Sequence, residues 1–322
     1  MDGPSPLAPG SVSMRLYPHN DLPAAEILEE LREQARLAIA AGLDGVMTNE
    51  HHNGFAGYMP NPVQTAGWLL ETMPSGWAAP CPLLLPLRPA ALVAEELAWL
   101  AARFPSRVGL GVAAGSLVDD FTIMGLTKDG LSERFAEGLA MVVGMLSGRD
   151  PGPLSQDPAI RRCAEHPVPV VSAAMSKGAV RRAAAVGAGL IFESLSAPER
   201  CRELVDIYHD AGGAGPVVMI RRVWVGTPPT VRQAAQLDIY KGYAEPAAQV
   251  HWKGEQMLQG DSADSVADQL LSVAEAAGAD ALNLRLHVPG VSPAEIHDQI
   301  RSLAPVVTQV QSGLAIDRSP TH

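Results

Sequence analysis

Glu50-His51-His52 sets three titratable side chains in a row, directly after the short β-prone segment Gly45-Val46-Met47-Thr48. Burying all three inside a strand would be costly, so the run is expected where a strand ends and opens onto a cavity. An imidazole at such a place can take and release protons near neutral pH, which is the requirement for general acid–base work. Adjacent strand side chains alternate in direction, so the three cannot all face one cavity. The plainer alternative is a hydrogen-bonded strand end without chemistry.

The elements that must position this run follow an alternating pattern. Strand-like segments fall at 13–16, 45–48, 79–85, 108–112, 168–171, 189–192, 217–225 and 281–286. Helical patterns lie between them at 23–41, 61–72, 90–104, 131–147, 177–186, 197–210, 229–247 with 262–277, and 293–310. Strand followed by helix predicts a parallel sheet with right-handed crossovers, and eight such units close into a (β/α)8 TIM barrel. Catalytic groups of that fold sit at the carboxyl ends of the strands, where Glu50-His51-His52 would lie. The chain is expected to be one domain over 1–322, with 1–12 and 312–322 as flexible tails. Ser196, Asp261 or Ser262, and Ser292-Pro293-Ala294-Glu295 carry helix-start chemistry. The connections 51–60 and 150–166 are longer than a plain barrel needs, as loops that wall or cover a pocket usually are, and 249–260 is irregular.

Composition narrows the classes. Apolar residues make up 47% of the 322 residues, as in a globular chain, and the formal net charge of −11 argues against nucleic acid or an anionic membrane as partner. Cys81, Cys163 and Cys201 are an odd, scattered set, so a disulfide framework or zinc cluster is not expected and a reducing compartment fits. Residues 1–10 lack a basic cluster followed by an apolar run, and no uninterrupted apolar window is long enough for a membrane span, so a cytoplasmic protein is expected. HxH and HExxH metal patterns are absent, as is a GxGxxG fingerprint after a strand. None of Lys128, Lys177, Lys241 and Lys253 falls within a strand candidate, as a Schiff-base lysine should.

Several motifs together resemble a known family. They are Asn49-Glu50-His51-His52 with Asn61-Pro62, Leu85-Pro86-Leu87-Arg88-Pro89, and Ala94-Glu95-Glu96-Leu97. Further on come Arg107 to Gly115 with Asp119-Asp120-Phe121, then Pro169 to Gly178, and Leu282-Asn283-Leu284-Arg285-Leu286. In this order they resemble the bacterial luciferase-like flavin monooxygenases, over about residues 14–310. The resemblance implies a flavin-dependent monooxygenase using reduced flavin mononucleotide (FMN), supplied by a separate flavin reductase, and molecular oxygen to oxidise a small organic substrate. A deazaflavin (coenzyme F-420)-dependent oxidoreductase on the same barrel is the alternative. A non-catalytic flavin-binding partner subunit is a third reading, from another class.

The resemblance also assigns roles. His51 corresponds to the catalytic histidine. Residues Glu50, Cys81, Pro82, Gly111, Ala113, Ala114, Gly115, Ala174, Met175, Ser176, Lys177 and Gly178 are the implied cofactor contacts. His52, Phe55, Tyr58, Met59, Asn61 and Arg88 are the implied substrate pocket. Physically, 172–178 joins a strand end to a helix start, whose N–H groups and dipole favour a phosphate; an ordinary helix cap is the other reading there. Ala114 stands where luciferase has a phosphate-binding arginine, so either Lys177 replaces that charge or the cofactor's tail differs. The family carries a cis peptide in the third strand, expected here at Cys81-Pro82. It commonly pairs as a homodimer, with Trp68, Leu69, Leu97 and Trp99 as the expected patch.

Overall fold

The computed structural model describes residues 4–243 and 257–316. Ten parallel strands form its sheet: β1 (Val12–Arg15), β2 (Gly45–Thr48), β3 (Trp77–Pro80), β4 (Leu83–Leu84), β5 (Leu110–Ala113), β6 (Val170–Ala173), β7 (Gly189–Phe192), β8 (Val217–Val225), β9 (Met257–Gly260) and β10 (Ala281–Arg285). The described helices are α1 (Ala24–Ala40), α2 (Pro62–Thr72), α3 (Ala90–Arg103), α4 (Val118–Ile123), α5 (Leu131–Leu146), α6 (Pro158–Arg162), α7 (Lys177–Val186), α8 (Pro198–Asp210), α9 (Thr230–Tyr243), α10 (Ala263–Ala277), α11 (Pro293–Ser302) and α12 (Ala304–Ile316).

Strand order runs β3-β2-β1-β10-β8-β7-β6-β5-β4, with β9 paired to the far half of β8. Because β3 and β4 are two pieces of one strand, this order is a ring of eight staves. An isolated bridge between Ala78 and Val108 joins β3 toward β5 where the ring closes. The fold class is therefore the α/β barrel that the alternation predicts.

Burial on both faces explains the strand sequences. β8, Val-Val-Met-Ile-Arg-Arg-Val-Trp-Val, is buried over all but its last residue, as parallel strands covered on both sides are. One apolar cluster fills the space between sheet and helices. A second, smaller one fills the barrel itself, with Met47, Trp77, Ala79, Val171, Ile191, Val218, Ile220 and Ala281. Leu7 closes that inner cluster and is fully buried, and Gly10 N–H donates to Asp280 C=O at 2.8 Å. Residues 4–12 are thus not a plain tail, and 312–316 belongs to α12.

Other differences from the sequence reading have local causes. The third strand is not continuous over 79–85. It breaks at Cys81-Pro82, which is cis as expected, and Pro82 has no N–H to give a ladder. The last helix, expected as one piece, divides at Leu303, because Pro305 cannot donate to Arg301 and its ring crowds that carbonyl. The extension of α9 to Ala247 lies outside the described residues. Two short helices escaped the periodicity. One, α6, carries a readable start: Asp157 Oδ1 accepts the N–H groups of Ala159 and Ile160, each at 2.8 Å, with Pro158 in the first turn.

The expected dimer patch is also revised. Leu69 and Leu97 are buried in the protein's own core and cannot line a free face. Trp68 and Trp99 do stand out, at 39% and 53% exposure, with Leu92 beside them in the exposed set. Among the described residues no helix is long and apolar enough to cross a membrane.

Candidate active site

Where β2 ends, the chain turns its three titratable residues in different directions. Glu50 goes inward and its side chain is fully buried. Its Oε2 accepts the Leu84 N–H at 2.6 Å, and its Oε1 pairs with the Arg88 guanidinium. His52 Nε2 lies 3.4 Å from the same Oε1. Burial pushes the Glu50 carboxyl above the usual range, opposed by Arg88, the Leu84 N–H and His52. Glu50 therefore ties the end of β2 to β4 and to the entry of α3. Arg88, read from the sequence as a pocket residue, is its partner in that tie.

His51 goes the other way, toward α4. Its Nδ1 is 2.7 Å from Asp120 Oδ2, and the other oxygen, Oδ1, accepts the His52 N–H at 3.0 Å. Burial pushes Asp120 up, but the hydrogen bond and charge of His51, with the His52 N–H, outweigh it and hold the carboxyl below its ordinary value. An ionised Asp120 can only accept, so Nδ1 of His51 carries the proton in this pair. Nε2 is then the nitrogen left to take or give one. The imidazole is packed between Tyr58, edge-on at 4.4 Å between centroids, and Phe55 at 4.8 Å.

The 51–60 loop that carries these rings is pinned at both ends. Met59 N–H donates to Asn49 C=O at 3.2 Å, and Gly57 N–H donates to the Asn20 side chain at 2.6 Å. Gly57 is needed on two counts. Its φ is +84°, and a Cβ there would sit 2.1 Å from the His287 ring. Asn61 lies outside this cluster: it is exposed and caps α2, accepting the Gln64 N–H at 3.1 Å.

Next to β2 in the ring, Pro82 at the start of β4 and the ends of β5 and β6 carry small side chains. Pro82, Ala113, Ala114 and Gly115 follow one another along this wall, and Ala173 continues it. At Gly111 a Cβ would fall 2.1 Å from Cys81 Sγ, so the chain there is as thin as a chain can be. Gly111→Ala should cost about 1–3 kcal/mol through overpacking, read as a lowered midpoint in denaturant unfolding. The Cys81 thiol is fully buried and pushed up to about 12, so it stays protonated and serves as packing.

In 172–178, Ser176 caps α7 by accepting the Ala179 N–H at 3.2 Å. Lys177 is turned to Glu203 on α8, at 2.9 Å, and both are largely exposed. A Cβ on Gly178 would meet nothing, so the amino end of α7 is open at that point. Ala174 is buried in the core, and Met175 packs against it beside the Ser196 hydroxyl.

The site thus joins His51, Phe55 and Tyr58 in one cluster and puts the small-residue wall on other staves. Sequence reasoning missed the role of Asp120. Its motif, Asp119-Asp120-Phe121, was visible, but which aspartate turns inward depends on α4, too short to read. It also missed Arg15, Arg222 and Arg285, three buried arginines on β1, β8 and β10.

The chain thus has the architecture of the α/β barrels, whose active sites lie at the carboxyl face, where the His51–Asp120 pair sits. Residues 12–305 match the model of the luciferase-like monooxygenases, and the chain belongs to that family. Uncharacterized proteins of Mycobacterium tuberculosis and Mycobacterium bovis are 39% identical over 66 residues, a stretch that spans 20% of this chain and 23% of theirs. Among solved structures, monooxygenase RslO1 from Streptomyces bottropensis superposes with a TM-score of 0.74 at 20% identity, covering 91% of this chain and 97% of that one. The oxygenating constituent of 3,6-diketocamphane monooxygenase from Pseudomonas putida, in complex with FMN, gives 0.71 at 17% identity over 94% and 99%. An F-420-dependent secondary alcohol dehydrogenase in complex with an F-420–acetone adduct gives 0.72 at 17% over 96% and 99%. At such identities the likeness is one of fold.

Proposed function

We propose that this protein is a flavin-dependent monooxygenase that takes reduced FMN from a separate reductase and uses molecular oxygen to oxidise a small organic substrate. The observation that carries the reading is the His51–Asp120 pair at the end of β2, beside a wall of small residues on the neighbouring staves. A planar cofactor fits that wall. Ala113 and Gly115 present almost no side chain there, and Gly115 has φ +85°. Pro82 and Ala113 to Gly115 would lie against the ring, and the amino end of α7 with Ser176 and Gly178 would take the phosphate. Bound reduced flavin supplies the electrons with which oxygen is activated.

The chain's own residues then have separable tasks. Asp120 holds the tautomer and orientation of His51. His51 moves a proton at Nε2. Phe55, Tyr58 and Met59 limit water around that nitrogen. Glu50 and Arg88 keep the strand end in place. The deazaflavin alternative keeps the same barrel and the same histidine, with hydride transfer in place of oxygen chemistry; Lys177, engaged by Glu203, leaves the cofactor's tail to the backbone in either case. Anaerobic titration with reduced FMN and, separately, with reduced F-420 tests the assignment. Saturable binding of reduced FMN is expected, and binding of F-420 alone would move the reading to its alternative. We also propose a homodimer through the faces carrying Trp68, Leu92 and Trp99. Light scattering at micromolar concentration should give twice the chain mass, and Trp99→Glu should halve it.

A further inference from the structure

Outside the His51 cluster, the same end of the barrel carries a stack of three rings. Tyr17 follows β1, and the rings of His19 and His287 lie against it at 4.3 and 3.7 Å between centroids. His287 follows β10, the neighbour of β1 in the ring of strands. The stack therefore stands at the carboxyl ends of the first and last staves, on the face where His51 lies. Both imidazoles are buried, at 1% exposure for His19 and 4% for His287.

The proton of His287 is placed by its neighbour. Arg285, which shares a register row with Arg15 and Arg222, brings its Nη2 to 3.2 Å from His287 Nδ1. A guanidinium only donates, so Nδ1 accepts and a neutral ring carries its proton on Nε2. Burial first, then the Arg285 and Arg222 cations and His19, hold His287 well below its ordinary pKa, so the ring is neutral. Burial also lowers His19, outweighing the nearby carboxylates of Glu30 and Asp21. His287 Nε2–H is thus a buried donor that meets no acceptor among the described residues. A group of this kind calls for a partner from outside the chain.

The cover over the ring belongs to the loop that carries His51. A Cβ at Gly57 would fall 2.1 Å from His287 Cε1 and 3.0 Å from its Nε2. The next residue, Tyr58, packs edge-on against His51. A group held at His287 Nε2 is therefore under the same loop as the proton-handling imidazole. Gly57 N–H on Asn20 Oδ1 ties this cover to the connection between β1 and α1, while Asn53, Gly54 and Ala56 at its tip are exposed.

A neutral N–H in a buried place selects its guest. A carbonyl oxygen only accepts, whereas a hydroxyl brings a proton of its own that also needs a partner there. A carboxylate has about four lone-pair sites to fill, and one N–H fills one. Resting on the reading that substrate is oxidised at this mouth, we infer that His287 Nε2–H binds a carbonyl oxygen of the substrate. The preferred substrate is then a neutral ketone. Its oxygen lies at the His19–Tyr17–His287 stack, and the 51–60 loop lifts to admit it and closes over it.

Cyclohexanone is the probe, titrated calorimetrically at pH 7 into the wild type and into His287→Phe, anaerobically, with and without reduced FMN. Phenylalanine keeps a flat ring against Tyr17 and loses the N–H. Saturable binding to the wild type is expected, weakened at least tenfold in His287→Phe, with reduced-FMN affinity unchanged. Nitrogen–proton NMR of the histidine rings gives a second readout. The His287 Nε2–H signal should move as cyclohexanone saturates the protein, and it decides by itself if His287→Phe does not fold. No cyclohexanone binding, equal affinity in the variant, or an Nε2–H signal that stays in place overturns the inference. So does cyclohexanecarboxylate that binds more tightly than cyclohexanone and moves that signal, which would make the substrate an acid. Wild type that binds FMN but not cyclohexanone keeps the monooxygenase reading and removes the His287 site; cyclohexanone at His287 without FMN binding does the reverse.

Discussion

His51→Ala should lower turnover by roughly two to four orders of magnitude, the range in which loss of a positioned acid or base falls. Affinity for reduced flavin should hardly change, because the groups proposed to take the phosphate lie on another stave, at the start of α7. Asp120→Asn separates holding from proton transfer. An amide can present its N–H to the imidazole and favour the wrong tautomer, so kcat should fall while the fold and the flavin affinity are kept. Asp120 is held below its ordinary 3.8, so in the wild type it stays ionised through the neutral range and accepts the imidazole N–H. Turnover of His51→Ala equal to wild type at saturating flavin would make the histidine structural.

Glu50→Ala has the largest expected effect on stability. The substitution strips the Leu84 N–H of its acceptor and Arg88 of its partner at one stroke, and losing one member of a buried pair typically costs about 3–5 kcal/mol. Chemical denaturation should show this as a lower midpoint at unchanged slope. The pH dependence has a defined sign. The Glu50 carboxyl is raised above its ordinary 4.5 in the folded state, so its ionisation favours unfolding, and its contribution is lost as pH rises from about 4.5 through the raised value. Asp120 works in the opposite direction. Its stabilisation is present above about 3.8 and is lost as pH falls through its depressed value. Glu50→Gln should therefore remove the loss on the alkaline side of 4.5 and leave the acid loss in place.

Much of the barrel was legible because its signal is repetitive. Gly45–Thr48, Gly189–Phe192 and Val217–Val225 are short apolar runs with helical patterns around them, and these bounds agree with the structure. What failed to read were features set by a single residue or by contacts from afar. Pro82 splits a strand and Pro305 splits a helix, although the apolar pattern runs on through both. The family resemblance implies a cofactor contact at Glu50. Only the return of β4 to its side shows both carboxylate oxygens already engaged, by Leu84 and Arg88. Asp120 lies 69 residues from His51, and no local pattern joins them. The arginine row is invisible for the same reason, since Arg15 and Arg285 become neighbours through the pairing of the first and last staves.

The central claim is that reduced flavin and oxygen are used together at the His51 mouth. Single turnover with reduced FMN, isotopically labelled dioxygen and a panel of small organic compounds tests it most directly, with mass spectrometry of the product. The account predicts one labelled oxygen atom in the product, dependent on reduced FMN and all but abolished in His51→Ala. Product formed without label, or formed anaerobically with reduced F-420 in place of FMN, would contradict it.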